Sequence, residues 1–594
     1  MARSRIRARG IGAVIVAGAA AGALVAGPLP ASAADKPGPP TVTADDVHFT
    51  PGTRLHYGTA REAGLVPRYV RQLRGSIAGY LKPSPTHPEY AGAVEIAGRD
   101  GVIASHEAVG YALRYASYDA ETGKATELPR GQWIPARRDT IFDLASVSKL
   151  FTSIAAVQLI QRGAIDLNAP VASYVPAFAR HGKGDITVRN LLTHTSGLPP
   201  DPSPSLCSYD TNAQRWAAVY ATKPVAPPDT RYIYSDINMM TLQKVIETVT
   251  GKSLDRVVRH RITAPLGMSD TMYNPPASLK PRIAATEYQP WTDRGMVWGS
   301  VHDENAYCLG GVAGHAGVFS TAHDLAILAQ TILNGGRYGH TRILSTDSVR
   351  ALLTDFNTAF PGHEHGLGFE LNQRWYMDAL SSPVTAGHTG YTGPSIVIDP
   401  ISHSFVILLA NRVHPTRDWG SNNPSRRAVA RDLARALPVK PAKGGETWFS
   451  GIGDLRTATL ALPLDVPAEG GRISFDLWYD TEGGYDIGTF QASTDGGETW
   501  QNVPLDLRIG PYTWSNGGDF SGFEGRRWAK VEATLPGGVT DVRWRYATDT
   551  LYEGRGVYVD GVRAWSADGT LLFNGSRPRD AAVFQPEGWT RSAN

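Results

Sequence analysis

"LASVSKLFTS", residues 144–153, reads as the opening turns of a buried helix. Leu150, Ile154, Val157 and Ile160 fall on one apolar stripe, and Gly163 makes a natural stop. Lys149 then sits in the first turn, where the helix macrodipole disfavours a cation by a few tenths to about 1 kcal/mol. Ser146 lies three residues before it, and no other lysine of the chain has a serine at that offset. On a helix the two share a face. The dipole and burial both favour the uncharged amine. Such an amine beside a hydroxyl takes its proton, which makes Ser146 a nucleophile activated by an adjacent base. The helix N-terminus also offers the Ser146 backbone N–H to a developing oxyanion. Taken alone, the stretch equally fits a capping serine with a snorkelling lysine.

Two other stretches bear on that choice. "YIYSDINMMT", 232–241, places Tyr234, Ser235 and Asp236 just ahead of a second helix. A phenol there can relay a proton between nucleophile, lysine and leaving group; a core tyrosine is the plainer alternative. In "AGHTGYTGPSIVIDP", 386–400, His388, Thr389 and Gly390 open onto a strand. Gly390 and Gly393 permit close backbone approach to a ligand, and the Tyr391 N–H would be the second oxyanion donor. "VHDENAY", 301–307, sets His302, Asp303 and Glu304 side by side. Adjacent residues rarely converge on one ion, so this reads as a cleft-lining loop and no catalytic metal is expected. His194 in "LLTHTSGLP" reads as a turn-stabilising group.

In this order and at these separations, the three motifs resemble those of the serine β-lactamase and penicillin-binding superfamily. The likeness is greatest to its class C-like branch, which includes carboxylesterases and D-amino-acid peptidases. "NLLTHTSGLP", "LGMSDTMY", "VHDENAYCLGGVAGHAGVFSTAHDLA" and "VILLANRVHP" are similar too, and the resemblance runs from about 58 to 437. It implies that Ser146 is the acylated nucleophile, Lys149 its base and Tyr234 the second proton carrier. It also implies an oxyanion hole from the Ser146 and Tyr391 N–H groups, with Asp236, His388, Thr389 and Gly390 meeting the substrate. Two departures stand out. Asp236 replaces the asparagine common in lactamases, and His388 replaces the lysine of Lys-Thr-Gly, which helps hold a substrate carboxylate. With imidazole mostly neutral at pH 7, the pattern favours esters and small amides over anionic β-lactams or peptide C-termini.

The chain has 594 residues, 42% hydrophobic and 19% charged, ample for large packed cores. Arg3, Arg5, Arg7 and Arg9, then "IGAVIVAGAAAGALVAGPLP" and "ASAAD", describe a signal peptide over residues 1–34. With those four arginines set aside from the 58 basic side chains, the 54 that remain and the 56 acidic ones nearly cancel. That points away from nucleic acid, and from a membrane after signal cleavage. Residues 35–57 form a Pro-rich lead expected to be mobile. Strands, a helical block, then strands and a last helix over 58–437 indicate an α/β lobe interrupted by an all-α lobe. "PVKPAKGGE" marks a linker, 438–447. Residues 448–594 alternate apolar and polar with Gly/Asp-rich turns, an all-β sandwich. This region resembles the jelly-roll module of immune-inhibitor-A-type proteins and MAM-like domains. Asp480, Glu482, Asp486 and Asp560 could supply oxygens to a structural Ca²⁺ or simply form turns. Cys207 and Cys308 are free to pair in oxidising surroundings, but the sequence does not show that they meet.

The expectation is a secreted serine hydrolase, cofactor-free in its chemistry, whose last domain can hold extracellular or cell-wall glycan. Its substrate class is an ester, a small amide or a peptidoglycan-derived compound. The alternatives are a D-alanyl-D-alanine carboxypeptidase or β-lactamase, and a non-catalytic cell-wall-binding homologue.

Overall fold

The computed structural model describes residues 38–50 and 52–594. The expected signal peptide lies outside that range. Among the described residues no helix is long and apolar enough to cross a membrane.

The alternating stretches "AGAVEIAG" and "GVIASHEAVGYAL" form an antiparallel hairpin, Gly92–Arg99 against Val102–Leu113. Chain nearly 300 residues further on completes the sheet. Ser404–Ala410 pairs with Gly92–Arg99, followed outward by Ser395–Asp399, Ala386–Thr389 and Glu370–Leu371. Such a sheet needs cover on both sides, and its period of two supplies it. Along Ser404–Ala410, Phe405, Ile407 and Leu409 join the core that contains Ser148–Ile160 and Ala322–Leu333. Val406, Leu408 and Ala410 face the opposite core, with Gln72–Gly79 and Asn423–Ala436. The helical block inserted between the two halves of the sheet carries the helix Asp236–Thr250, ended by left-handed Gly251. The helix Ala322–Leu333 is capped by Thr321, whose hydroxyl accepts the Asp324 N–H at 3.3 Å.

Four expectations need correction. "LASVSKLFTS" does not begin as an α-helix. Ala145–Val147 is a 3₁₀ turn with Ala145 at φ 45°, and the α-helix starts at Ser148. The lead is packed, not mobile, from Val42 onward. Val42, Ala44 and Val47 join the main core, and His56–Tyr57 pairs in parallel with Val102–Leu113. The stretch 438–447 is tethered: Val439 packs against Trp478 and Tyr558, and Lys443 N–H donates to Asp560. Finally, the four acids, offered either as Ca²⁺ oxygens or as turn-formers, do not converge on one point. Asp480 pairs with Arg526, and Asp560 accepts the Lys443 and Gly561 N–H groups. Glu482 and Asp486 instead approach Asp549, their oxygens within 4.8 Å of one another.

The C-terminal region is two facing antiparallel sheets around Phe475, Phe490, Trp544 and their neighbours. It docks on the first domain through arginines. Arg526, 5% exposed, pairs with Asp399 at the end of the strand Ser395–Asp399 (2.5 Å) and with Asp480 of the sandwich (3.0 Å). Arg431 bridges Asp378 (2.9 Å) and Glu553 (2.8 Å). Removing the charge from Arg526 leaves two buried carboxylates facing each other. Arg526→Ala is therefore expected to lose about 3–5 kcal/mol, seen in calorimetry as the sandwich unfolding ahead of the remaining chain.

Candidate active site

Ser146 occupies the turn that joins a short strand, Phe142–Asp143, to the helix Ser148–Ile160. The strained φ of Ala145 is held by Asp143, whose Oδ1 accepts the Ala145 N–H at 2.8 Å. The same buried carboxylate accepts the His302 N–H through Oδ2 at 2.6 Å, and its backbone oxygen accepts from Thr392 Oγ1 at 2.7 Å. One residue thus ties together the nucleophile turn, the "VHDENAY" loop and the loop that carries Tyr391. Gly390 is forced by the last of these approaches: a Cβ there would lie 2.3 Å from the Leu144 carbonyl oxygen. The close approach that its glycine permits is to this chain's own backbone. The Tyr391 N–H has no backbone partner among the described residues.

Lys149 lies directly beneath, 1% exposed. Its Nζ donates to Ser146 Oγ at 2.8 Å, stands 2.7 Å from Asp236 Oδ1, and reaches the His315 carbonyl at 3.4 Å. The Tyr234 ring centroid is 4.7 Å away. These contacts reverse the expected charge state. Burial alone would lower the Lys149 pKa, but the carboxylate of Asp236, helped by Tyr234, outweighs it and raises the pKa above its ordinary value. The resting site therefore holds an ammonium paired to a carboxylate. Burial pushes Tyr234 up to about 12, with nearby Lys149 opposing, so the phenol keeps its proton.

Asp236 opens the helix Asp236–Thr250 and is set by Ser235, whose hydroxyl donates to the Pro199 carbonyl at 2.6 Å. The Ser235 N–H donates to His194 Nδ1 at 3.1 Å, and Asn238 Nδ2 lies at the same distance. His194 is thus a buried acceptor for this turn, its pKa driven down by burial.

A cleft of about 690 Å³ opens over the site, lined by Ser146, Tyr234, Asp236, His315, Tyr391 and the 301–305 loop among others. His388, Thr389 and Gly390 do not line it. His388 is buried with its ring 6.1 Å from that of Tyr234 and its Nδ1 2.7 Å from the Thr389 carbonyl. Burial drives its pKa well down, so it stays neutral. The resemblance placed it against substrate; the fold puts it behind Tyr234.

The structure adds residues that no spacing in the sequence had marked. His315 Nε2 meets Asp303 Oδ1 at 2.9 Å. Burial would lower the His315 pKa, but Asp303 and Asp236 together raise it, and His315 in turn depresses Asp303 against its own burial. Lys149, Asp236, His315 and Asp303 therefore alternate in sign across the floor of the cleft. Asp236, Asp303 and His315 also offer three ligand atoms within 4.8 Å of one another. Cys207 and Cys308, 101 positions apart, are bridged. Beside that disulfide, Asn305 Oδ1 accepts the Leu206 N–H at 2.8 Å, so the 201–208 and 303–308 walls move as one.

Comparison with known proteins follows the division seen in the fold. The family model described as Beta-lactamase matches residues 77–431, and the one described as Immune inhibitor A-like, MAM domain matches 418–593. Among curated proteins, the "Putative D-alanyl-D-alanine carboxypeptidase" of Escherichia coli (strain K12) is 36% identical over 325 residues, 50% of this chain and 74% of that protein. Its namesake in Salmonella typhi is 35% identical over 348 residues, 53% of this chain and 77% of that one. Among solved structures, a β-lactamase/D-alanine carboxypeptidase from Pseudomonas syringae shares 18% identity at a TM-score of 0.49, covering 62% of this chain and 100% of its own.

The His315–Asp303 pair has a signature in pH. The raised His315 pKa stabilises the fold below about 6.5 and is lost as pH rises through the raised value. The depressed Asp303 pKa stabilises above about 3.9 and is lost as pH falls through the depressed value. Asp303→Asn keeps the helix cap and removes the charge. Its stability deficit against wild type, followed by denaturant unfolding, should be largest between about pH 4 and 6.5 and shrink on either side.

Proposed function

Because the chain belongs to the β-lactamase family of serine hydrolases, here joined to an immune inhibitor A-like MAM domain, we propose that it hydrolyses carboxylic esters or small amides through an acyl-enzyme on Ser146. The observation that carries this is the 2.8 Å contact between Lys149 Nζ and Ser146 Oγ, with Asp236 at 2.7 Å on the far side of the same nitrogen.

As long as Lys149 is an ammonium it donates to Ser146, and the hydroxyl is not activated. A substrate entering the cleft displaces water from the partly exposed Asp236. Loss of water penalises both charges of the pair, and the neutral amine with a carboxylic acid gains ground. Asp236 holds the proton, Lys149 takes the one from Ser146, and Oγ attacks the carbonyl carbon. The N–H groups of Ser146 and Tyr391 receive the oxyanion. Tyr234, still protonated, delivers a proton to the leaving oxygen or nitrogen and is resupplied by Lys149. Water then repeats the sequence on the acyl-enzyme.

Each cation at the cleft already has a partner: Lys149 has Asp236, His315 has Asp303, and Arg417 has Glu287 and Glu304. With His388 buried and neutral, that leaves no unpaired cation among the described residues lining the cleft for a substrate carboxylate, which favours esters and amides without one. The names of the curated relatives favour the second reading, a D-alanyl-D-alanine carboxypeptidase. We further propose export, which the signal-like N-terminus supports, and a glycan-holding role for the sandwich, which rests on its resemblance alone.

Ser146→Ala should abolish turnover and fluorophosphonate labelling, and the wild type should cleave short acyl esters faster than nitrocefin. Labelling by a fluorescent penicillin instead would support the carboxypeptidase reading; labelling by neither probe would leave a binding protein. Asp236→Asn makes Lys149 titrate alone. With the carboxylate gone, burial lowers the Lys149 pKa, so the acid limb of kcat/KM against pH should move to lower pH; a profile like the wild type's would remove Asp236 from the proton path.

A further inference from the structure

We propose that the rim of the cleft is a carbohydrate subsite, in which Trp291 and Tyr391 stack on a neutral pyranose ring that bears the acyl group delivered to Ser146. This rests on the acyl-enzyme reading above and names its substrate class.

Trp291 is 58% exposed and Tyr391 48%, and both line the cleft that contains Ser146. Rings of this size carry much apolar surface, and proteins generally cover it. These two are left open yet held firmly. The guanidinium of Arg417 lies 5.2 Å from the Trp291 ring and 5.7 Å from that of Tyr391. Arg417 is itself fixed by Glu287 and Glu304, each at 2.6 Å. Burial would raise the Glu287 pKa, but His302 and Arg417 hold it at about 2, so the anchor is ionised throughout the physiological range. Trp291 Nε1 also reaches Glu304 Oε1 at 3.4 Å, and Arg412 lies 4.4 Å from the Tyr391 ring. A buried carboxylate spent on pinning two exposed rings makes a preorganised platform, and preorganisation lowers the ordering cost of binding.

The surrounding groups select the ligand. An anion meets Glu304 and Asp201, the latter without an ion-pair partner among the described residues, and Arg417 is already paired. A neutral ligand escapes that repulsion. Asn305 is oriented by the Leu206 N–H and by Ser205 Oγ at 3.1 Å, both on its Oδ1, which leaves its NH₂ as a donor. Asp201 and Glu304 are acceptors. A purely apolar acyl chain or aryl ring would leave these groups unpaired. A ring with one apolar face and hydroxyls around its edge satisfies them all. In the reaction, Ser146 Oγ bonds to the acyl carbon and the bond from that carbon to the sugar oxygen breaks. The sugar oxygen leaves with the proton taken from Ser146 and passed through Lys149 and Tyr234. Water then releases the acid and restores Ser146.

The test compares kcat/KM for 6-O-acetyl-N-acetylglucosamine, ethyl acetate and phenyl acetate in wild type, Trp291→Ala and Trp291→Phe. The wild type should prefer the sugar ester to ethyl acetate. Trp291→Ala should lower that preference about tenfold, and Trp291→Phe should recover most of it. No preference in the wild type, an unchanged ratio in Trp291→Ala, or a loss confined to phenyl acetate would each overturn the carbohydrate subsite. Hydrolysis of either acetate by Ser146→Ala at the wild-type rate would instead overturn the acyl-enzyme reading, so the two failures are told apart.

Discussion

A lysine ammonium cannot be buried alone. Moving such an ion from water into a protein interior costs several kcal/mol even after relaxation, and Lys149 is 1% exposed. Asp236 at 2.7 Å makes that burial tolerable, and much of the helical lobe exists to put it there. It stands in the first turn of Asp236–Thr250, where the macrodipole favours a carboxylate. Ser235 is fixed on one side by His194 and on the other by the Pro199 carbonyl. The helix that carries Lys149 belongs to one segment and the helix that carries Asp236 to another, about 90 residues on. The ion pair holds them together beneath Ser146.

The same device recurs around the cleft. Asp143 collects the nucleophile turn, the His302 N–H and the Thr392 hydroxyl. Glu287 collects His302 and Arg417, and Asp303 collects His315 and the cap of Glu304–Cys308. Each is a buried or nearly buried carboxylate at a junction of segments distant in sequence. A charge placed so must find its partners, and that requirement holds the surrounding loops in a single arrangement. Loops from different parts of the chain can then present Tyr391, Trp291 and Tyr234 to one substrate with little freedom left to lose.

Docking of the sandwich extends the pattern beyond the catalytic domain. Arg526 reaches from the sandwich to Asp399, which ends a central strand, and Arg431 reaches from the last catalytic-domain helix to Glu553. These ion pairs tie the module to the sheet that carries Ala386–Thr389, and Trp448, Trp478, Trp544 and Trp589 are buried in its packing.

Local patterns were enough to mark the helix after Ser146, the hairpin 92–113, the strands at 395–410, the helix 423–436 and the sandwich texture, because each depends on periodicity over a few neighbouring residues. Ser146, Lys149 and Tyr234 were legible for a similar reason: they lie within short motifs. What local patterns could not reveal were encounters between residues that share no helix or strand. Cys207 meets Cys308, Asp303 meets His315 under the shadow of Asp236, and Arg417 reaches both Trp291 and Tyr391. The charge of Lys149 turned on such an encounter. Its own turn and its burial both argue for a neutral amine, and only the fold brings Asp236 close enough to overrule them, since electrostatics in a dry interior is decided by distance and not by order along the chain.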